Sequence, residues 1–312
     1  MTGYSDKNED SKVLIAGPED QDFRLDIYLS EAFPEKSRTF FQRLIKDGAV
    51  LVNEKTVRPS VLLKEDDEIR IRFPEPVRLE ISPENIPLDI VYEDEDVILV
   101  NKPKGMVVHP APGHTAGTLV NALLYHCSDL SGINGVLRPG IVHRIDRDTT
   151  GIVIACKNDE AHLKISEQLK EHSVNRRYRA IVMGNLKEDS LTVDLPIGRD
   201  KKNRKKMAVD EQNGKNAVTH CRVLERFGSC TLIECRLETG RTHQIRVHMA
   251  HLGHPLLGDE VYGGRKTKDA SQGQCLHAYL LGFVHPKDGR YMEFSVPDPE
   301  YFEKILNSLR SH

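Results

Sequence analysis

The sequence predicts an α+β protein in two parts: a larger domain built on a mixed, mainly antiparallel β-sheet with flanking helices, and a small α/β domain before it. Three observations lead there. The chain has 312 residues, enough for about two domains at roughly 100–200 residues each. Short apolar runs bounded by turn residues recur along it, and two of them, Ile90–Tyr92 and Val97–Val100, flank an acidic turn as a hairpin would. Pro74-Glu75-Pro76 breaks the chain where the first group of elements ends.

In chain order, residues 1–19 are charged, small and aperiodic, and are expected to be a disordered tail. Leu25, Tyr28 and Leu29 then fall at helical spacing. A second helix is expected from Ser37, a good N-cap, to Lys46, with Gly48 as its stop. It buries Phe40, Phe41, Leu44 and Ile45 in part and shows Arg38, Gln42, Arg43 and Lys46 on its other side. Val50–Lys55 and Glu68–Phe73 read as short strands, the second with clean alternation. This region, about residues 20–75, resembles the small RNA-binding module first seen in a small-subunit ribosomal protein. The resemblance rests on Arg24-Leu25-Asp26, Ser37-Arg38-Thr39 and the run from Ile45 to Asn53. It implies that Arg38, Arg43 and Lys46 contact RNA; a mini-domain with a charged face is the competing reading. Glu54 departs from the pattern, standing where the family usually has glycine, so the tight turn is expected to be weakened and to rely on Asn53 for a left-handed residue.

Residues 76–89, stiffened by Pro83 and Pro87, predict an extended linker, and the second domain is expected over 90–312. After the hairpin come Asn101-Lys102-Pro103-Lys104-Gly105 and an amphipathic helix from Gly117 to Leu124. Ile152–Cys156 reads as a buried strand, Ala161–Lys170 as a helix, and Arg176–Val182, Ala217–Val223, Cys230–Leu237 and Tyr291–Val296 as strands. Thr242 is a candidate cap for a helix that Gly253 ends, with Ile245, Met249 and Leu252 as its buried stripe and Arg246 one position off it.

Chemistry concentrates at His143-Arg144-Ile145-Asp146-Arg147-Asp148, a polar loop wedged between apolar runs. Burial disfavours a charge on Asp146 and the flanking guanidinium groups favour it, so an ionised, poorly solvated and nucleophilic carboxylate is one outcome. A structural ion-pair loop is the other. Arg246, at the edge of a core, needs a carboxylate partner. Arg176, Tyr178 and Ala180 share one face of their strand, and an aromatic beside guanidinium groups is a platform for an unpaired base. A half-buried strand tyrosine is equally compatible with that stretch taken alone.

Charge bounds the partner. The net charge is −3, yet between Arg176 and Lys206 ten Lys/Arg face four Asp/Glu. Within that stretch Lys201, Lys202, Arg204 and Lys205 form a basic loop suited to phosphate contact. A solvated charged face competes. The acidic start is unlike a secretory signal, and no run approaches the ~18–20 apolar residues that cross a bilayer, so a cytoplasmic protein with no membrane partner is expected. The six cysteines form no CxxC pair and are expected as reduced thiols. His248, His251 and His254 recur every three residues, but Gly253 breaks the helix before the third; no metal site is expected.

Together these stretches resemble the pseudouridine synthases that modify ribosomal RNA and some transfer RNA. The resemblance is carried by His143–Gly151, Arg177-Tyr178-Arg179-Ala180 and Thr239–Arg246, with Val108-His109-Pro110 and Gly258–Gly263 in agreement. Within that family it is most similar to the branch acting on large-subunit ribosomal RNA with an N-terminal RNA-binding module; Ile145 replaces the usual leucine. The resemblance implies that Asp146 is the catalytic carboxylate, Arg246 its partner, Tyr178 the residue stacked on the target base and Arg144 the one that fills the vacated space. It further implies RNA as partner, large-subunit ribosomal RNA before transfer RNA; nothing in the sequence demands a dimer, so a monomer is expected. Isomerisation changes no oxidation state, so no cofactor is expected. A non-catalytic RNA-binding protein and a metal-dependent hydrolase using the histidine series are the rival readings.

Overall fold

The computed structural model describes residues 11–33, 38–73, 81–110, 115–132, 139–201, 203, 206–263 and 273–311. It divides into two compact units, Met1–Arg78 and Leu79–His312. Among the described residues no helix is long and apolar enough to cross a membrane.

The first unit is a four-stranded antiparallel sheet carrying two helices. In chain order these are β1 (Ser11–Ile15), α1 (Leu25–Ala32), α2 (Arg38–Lys46), β2 (Val50–Val52), β3 (Lys55–Thr56) and β4 (Glu68–Arg72), with sheet order β1-β4-β2-β3. Leu25, Leu29, Phe41, Leu44 and Ile45 close over Val50, Ile69 and Ile71 to form its core. The proposed cap Ser37 lies outside the described residues; Gly48, at φ +73°, ends α2 in the left-handed region. Residues 11–15 correct the expected disordered tail. Val13, Leu14 and Ile15 are an apolar run, and they pair along the free edge of β4, Lys12 opposite Ile71 and Leu14 opposite Ile69. The turn at Asn53-Glu54 forms despite the missing glycine. Both residues take positive φ (49° and 60°). Asn53 accepts the Glu68 N–H at 2.9 Å, and Glu54 pairs with Arg70 at 2.8 Å.

The second unit is a mixed, mainly antiparallel sheet. Its strands are β5 (Ile90–Glu93), β6 (Val97–Lys102), β7 (Thr150–Cys156), β8 (Asn175–Met183), β9 (Ser190–Asp194), β12 (Val218–Arg226), β13 (Cys230–Leu237), β14 (Leu276–Val284) and β15 (Tyr291–Ser295). The order is β5-β6-β7-β14-β8-β13-β12-β9, with β15 paired to β14. A separate hairpin joins β10 (Ile197–Arg199) to β11 (Met207–Val209). Every neighbouring pair is antiparallel except β7 and β14, which meet in parallel through only two residue pairs, His277 with Thr150 and Ala278 with Gly151. Gly151 (φ +111°) is required there, because a Cβ would lie 2.1 Å from the Ala278 carbonyl oxygen.

The helices are α3 (Leu119–His126), α4 (Asp159–Lys170), α5 (Gln244–His251) and α6 (Glu300–Arg310). Thr118 and Asn121 cap α3 reciprocally, and Asn158 caps α4 by accepting the Ala161 N–H. Residues 81–89, expected within a linker, are instead strapped to this unit. Asn121 donates to the Ser82 carbonyl, the Glu84 N–H bonds Asn121 O, and Ile81 and Leu88 pack on the main core. Their prolines rule out a regular ladder but leave side chains and carbonyls free to dock.

Candidate active site

Asp146 sits on the loop that feeds β7, and the backbone beside it is fastened from the end of β6. Lys102, fully buried, donates to the carbonyls of Pro103, Met106 and Arg147 at 2.8, 2.8 and 2.9 Å. The Gly105 N–H reaches the same Arg147 oxygen at 3.0 Å. Burial pulls the Lys102 ammonium down to about 7, against the opposing pull of the Asp148 and Asp146 charges. His143 accepts the Ile154 N–H on Nε2 at 3.1 Å, which places its proton on Nδ1. Desolvation and the nearby Arg176 charge hold that imidazole down to about 3, so it is neutral at physiological pH.

The cation facing Asp146 comes from α5. Arg246 Nη1 donates to Asp146 Oδ2 at 2.8 Å, while Nε and Nη2 grip Asp259 at 2.7 and 3.0 Å. Burial works against the guanidinium charge, and the Asp259 hydrogen bonds with the two carboxylate charges outweigh it, holding the group above its ordinary range. Asp259 is itself fully buried and accepts the N–H groups of Val261 and Tyr262. One guanidinium therefore satisfies a buried anchor on one edge and orients Asp146 on the other. The second Asp146 oxygen has His243 Nε2 at 3.8 Å. His243 Nδ1 lies 2.9 Å from the Tyr262 hydroxyl, which already accepts the Met207 N–H. Burial lowers the His243 imidazole, the Asp146 charge acting in opposition.

The start of α5 departs from the expected cap. Thr242 is exposed and the helix begins at Gln244, with His243 in the left-handed region at φ +59°. Gln244 instead ties the turn before the helix to β12: its side-chain carbonyl accepts the Arg241 N–H and the Thr239 hydroxyl, and its amide donates to Val218 O. The expected single apolar stripe is also corrected. Gln244 through Met249 are all buried, and Leu252, at the C-cap, is 40% exposed because the chain turns away there.

Tyr178, on β8, lines the same cavity as Asp146, Arg144, Arg246 and Leu276. Burial raises its phenol, with the Arg176 charge opposing, so the hydroxyl stays protonated. Arg144 is exposed and makes no hydrogen bond or ion pair among the described residues. Lys201 is exposed, on the loop of the β10–β11 hairpin; Lys202, Arg204 and Lys205 lie outside the described residues. Lys206 closes that loop with its ammonium 5.7 Å from the Tyr262 ring centre, so the hairpin's base adjoins the site. In the first unit Arg38 is committed to a buried carboxylate, Asp26, at 2.9 Å, alongside Arg24 and Gln42. Arg43 and Lys46 are exposed, Arg43 3.8 Å from Asp47. Of the histidine series, His248 spends both ring nitrogens on Thr219 and Leu195, and His254 bonds the Met183 carbonyl.

Sequence reasoning set Asp259, Tyr262, His243 and Gln244 inside the stretches that carry the resemblance but gave none of them a role in the site. A signal existed for Asp259: a buried guanidinium fork has two edges, and one carboxylate cannot satisfy both. His243 and Tyr262 act through a left-handed turn that no local pattern announces.

Comparison with known proteins accords with this arrangement. Residues 96–251 match the family model described as RNA pseudouridylate synthase, and residues 23–69 match the S4 domain. An uncharacterized RNA pseudouridine synthase of Bacillus subtilis is 52% identical over 299 residues, covering 96% of this chain and 98% of that protein. The ribosomal large subunit pseudouridine synthase D of Zymomonas mobilis is 47% identical over 300 residues, covering 92% and 94%. Among solved structures, human RNA pseudouridylate synthase domain containing 1 superposes with a TM-score of 0.57 at 26% identity, covering 77% of this chain and 98% of that one.

Proposed function

Because the chain belongs to the RNA pseudouridine synthase family, we propose that it isomerises uridines of large-subunit ribosomal RNA, with Asp146 as the carboxylate that meets the target nucleotide. The ribosomal substrate is supported by the names of relatives such as the Zymomonas mobilis protein; transfer RNA is the second candidate. The observation that carries the assignment of Asp146 is its position in the cavity, one oxygen held by Arg246 and the other turned toward His243 at 3.8 Å.

The chemistry asks for little else. The bond from N1 to the ribose breaks, the uracil turns, and a bond forms from C5 to the same sugar carbon. The C5 proton leaves and N1 gains one, with no net transfer of electrons. Arg246 keeps Asp146 charged and aimed, so its orientation is set before substrate arrives. Tyr178, a neutral phenol in the same cavity, offers its ring to the base. A uridine reaches this cavity only by leaving its stack, and Arg144, exposed and without a partner among the described residues, is suited to the gap it leaves. The S4 unit adds affinity through Arg43 and Lys46, and the β10–β11 loop of the larger unit through Lys201, contacts to phosphate that position RNA without reading bases. Arg38 contributes only the part of its guanidinium that Asp26 leaves free.

The test is a pseudouridine map of ribosomal RNA from cells with and without this protein. Defined large-subunit positions should revert to uridine in its absence. An unchanged ribosomal map with losses in transfer RNA would reassign the substrate.

A further inference from the structure

Beside the cavity that holds Asp146 lies a second one, sharing Arg144, Tyr178, Leu237 and Arg241 with it. We propose that this second cavity is a subsite for the phosphodiester of the nucleotide adjoining the target uridine. The inference rests on the reading of the protein as an RNA isomerase whose target base lies against Tyr178.

Charge comes first. The residues lining the second cavity include Arg144, Lys170, Arg176 and Arg241, and not one Asp or Glu. Arg176 is the informative member. It is 6% exposed and donates one hydrogen bond to the Glu238 carbonyl at 3.0 Å, and among the described residues its Nε has no partner and no carboxylate pairs with it. A buried guanidinium without a counter-ion is costly, and folds tolerate it where an anion completes the site. Burial pulls the Arg176 guanidinium below its ordinary range, and burial together with the Arg176 charge pulls His143 down.

Shape comes second. Gly240 closes over Arg176 so tightly that a Cβ there would stand 2.7 Å from Nη1. The glycine thus leaves the guanidinium its place, although its own backbone needs no left-handed turn. Ile141, Val142, Leu169 and Leu237 give the cavity an apolar wall, against which a sugar or base can rest while its phosphate meets the arginines. Adjacent nucleotides are joined by one phosphodiester, so the phosphate beside a base on Tyr178 is carried to the neighbouring cavity that shares Tyr178 and Arg144.

The experiment uses the full chain and two variants. Arg176→Met removes the charge at similar length. Gly240→Ala keeps the charge and displaces the guanidinium, since only the flexible end of Arg176 has to move. Phosphate-ethylation interference on transcripts covering large-subunit ribosomal RNA reads which phosphates each protein needs for binding. In the wild type a phosphate flanking the modified uridine should interfere, and both variants should lose that one interference and keep the rest. Half-saturating RNA concentration should rise about tenfold for Arg176→Met, and the salt slope should fall by about 0.7–1, the share of one phosphate. Interference patterns identical in all three proteins would overturn the subsite, even if Arg176→Met had lost stability. If the wild type modified no RNA, the isomerase reading would fail instead, and interference would still report whether Arg176 governs a phosphate.

Discussion

At the scale of single residues the site turns on one guanidinium shared between two carboxylates. Asp146→Asn keeps an acceptor for Arg246 but removes the charge, so turnover should disappear while RNA affinity stays near that of the wild type; tritium release from uridine labelled at C5 measures the first and filter binding the second. Arg246→Ala should cost stability as well as rate, about 3–5 kcal/mol, because it strands Asp259 in a fully buried position. Arg246→Lys should restore the charge but not the rate, since an ammonium cannot grip Asp259 on one edge and aim Asp146 from the other. His143 gives a pH signature. Its folded value, about 3, lies below the ordinary 6.5, so the unfolded chain binds the proton first. Stability from this group is intact above pH 6.5 and drains as pH falls from there toward 3. Urea titrations at pH 7 and pH 4 should show wild type losing on the order of 2 kcal/mol more than His143→Gln across that interval. Much of the residue chemistry was legible: the loop around Asp146 and the run ending in Arg246 announce themselves by charged groups set among apolar ones. The pairing of Asp259 with Arg246 was not, because its stretch offers a carboxylate with no visible counter-charge until α5 folds against it.

At the scale of elements, legibility followed periodicity. The β5–β6 hairpin, β7, α4 and β8 read plainly, each with a clear apolar period or turn. The central strand β14 did not, since it is buried for most of its length and His277 and Gly282 interrupt its apolar run. The helix α6 is missing from the sequence reading although Phe302, Ile305, Leu306 and Leu309 carry helical spacing. β1 was obscured by the charged residues before it. The element that decides the site is the joint of β7 with β14. Gly151→Ala should destabilise the protein by about 3 kcal/mol or more, since the new Cβ meets backbone that has nowhere to go. Thermal unfolding measures it, and a shift within a degree of wild type would mean that the two strands part more easily than their contact suggests.

At the scale of the whole molecule, each unit has its own core, which makes the division of labour testable. A chain beginning at Leu79 should fold and still isomerise uridine when RNA is abundant. It should need more RNA to saturate and lose affinity less steeply with salt, because fewer phosphates are neutralised. A fall in maximal rate with an unchanged half-saturating concentration would place the S4 unit in the catalytic step. The larger unit has a division of its own. Asp146 enters from the side of β6 and β7, whereas Tyr178, Arg246 and Asp259 belong to the side of β8, β13 and β14, and the backbone pairing between the sides is two residues long. Catalysis is therefore the most sensitive gauge of that joint: a slip too small to cost either half its strands would part Asp146 from its counter-charge. In mild urea the enzyme should fall silent while its circular dichroism is still that of the native sheet.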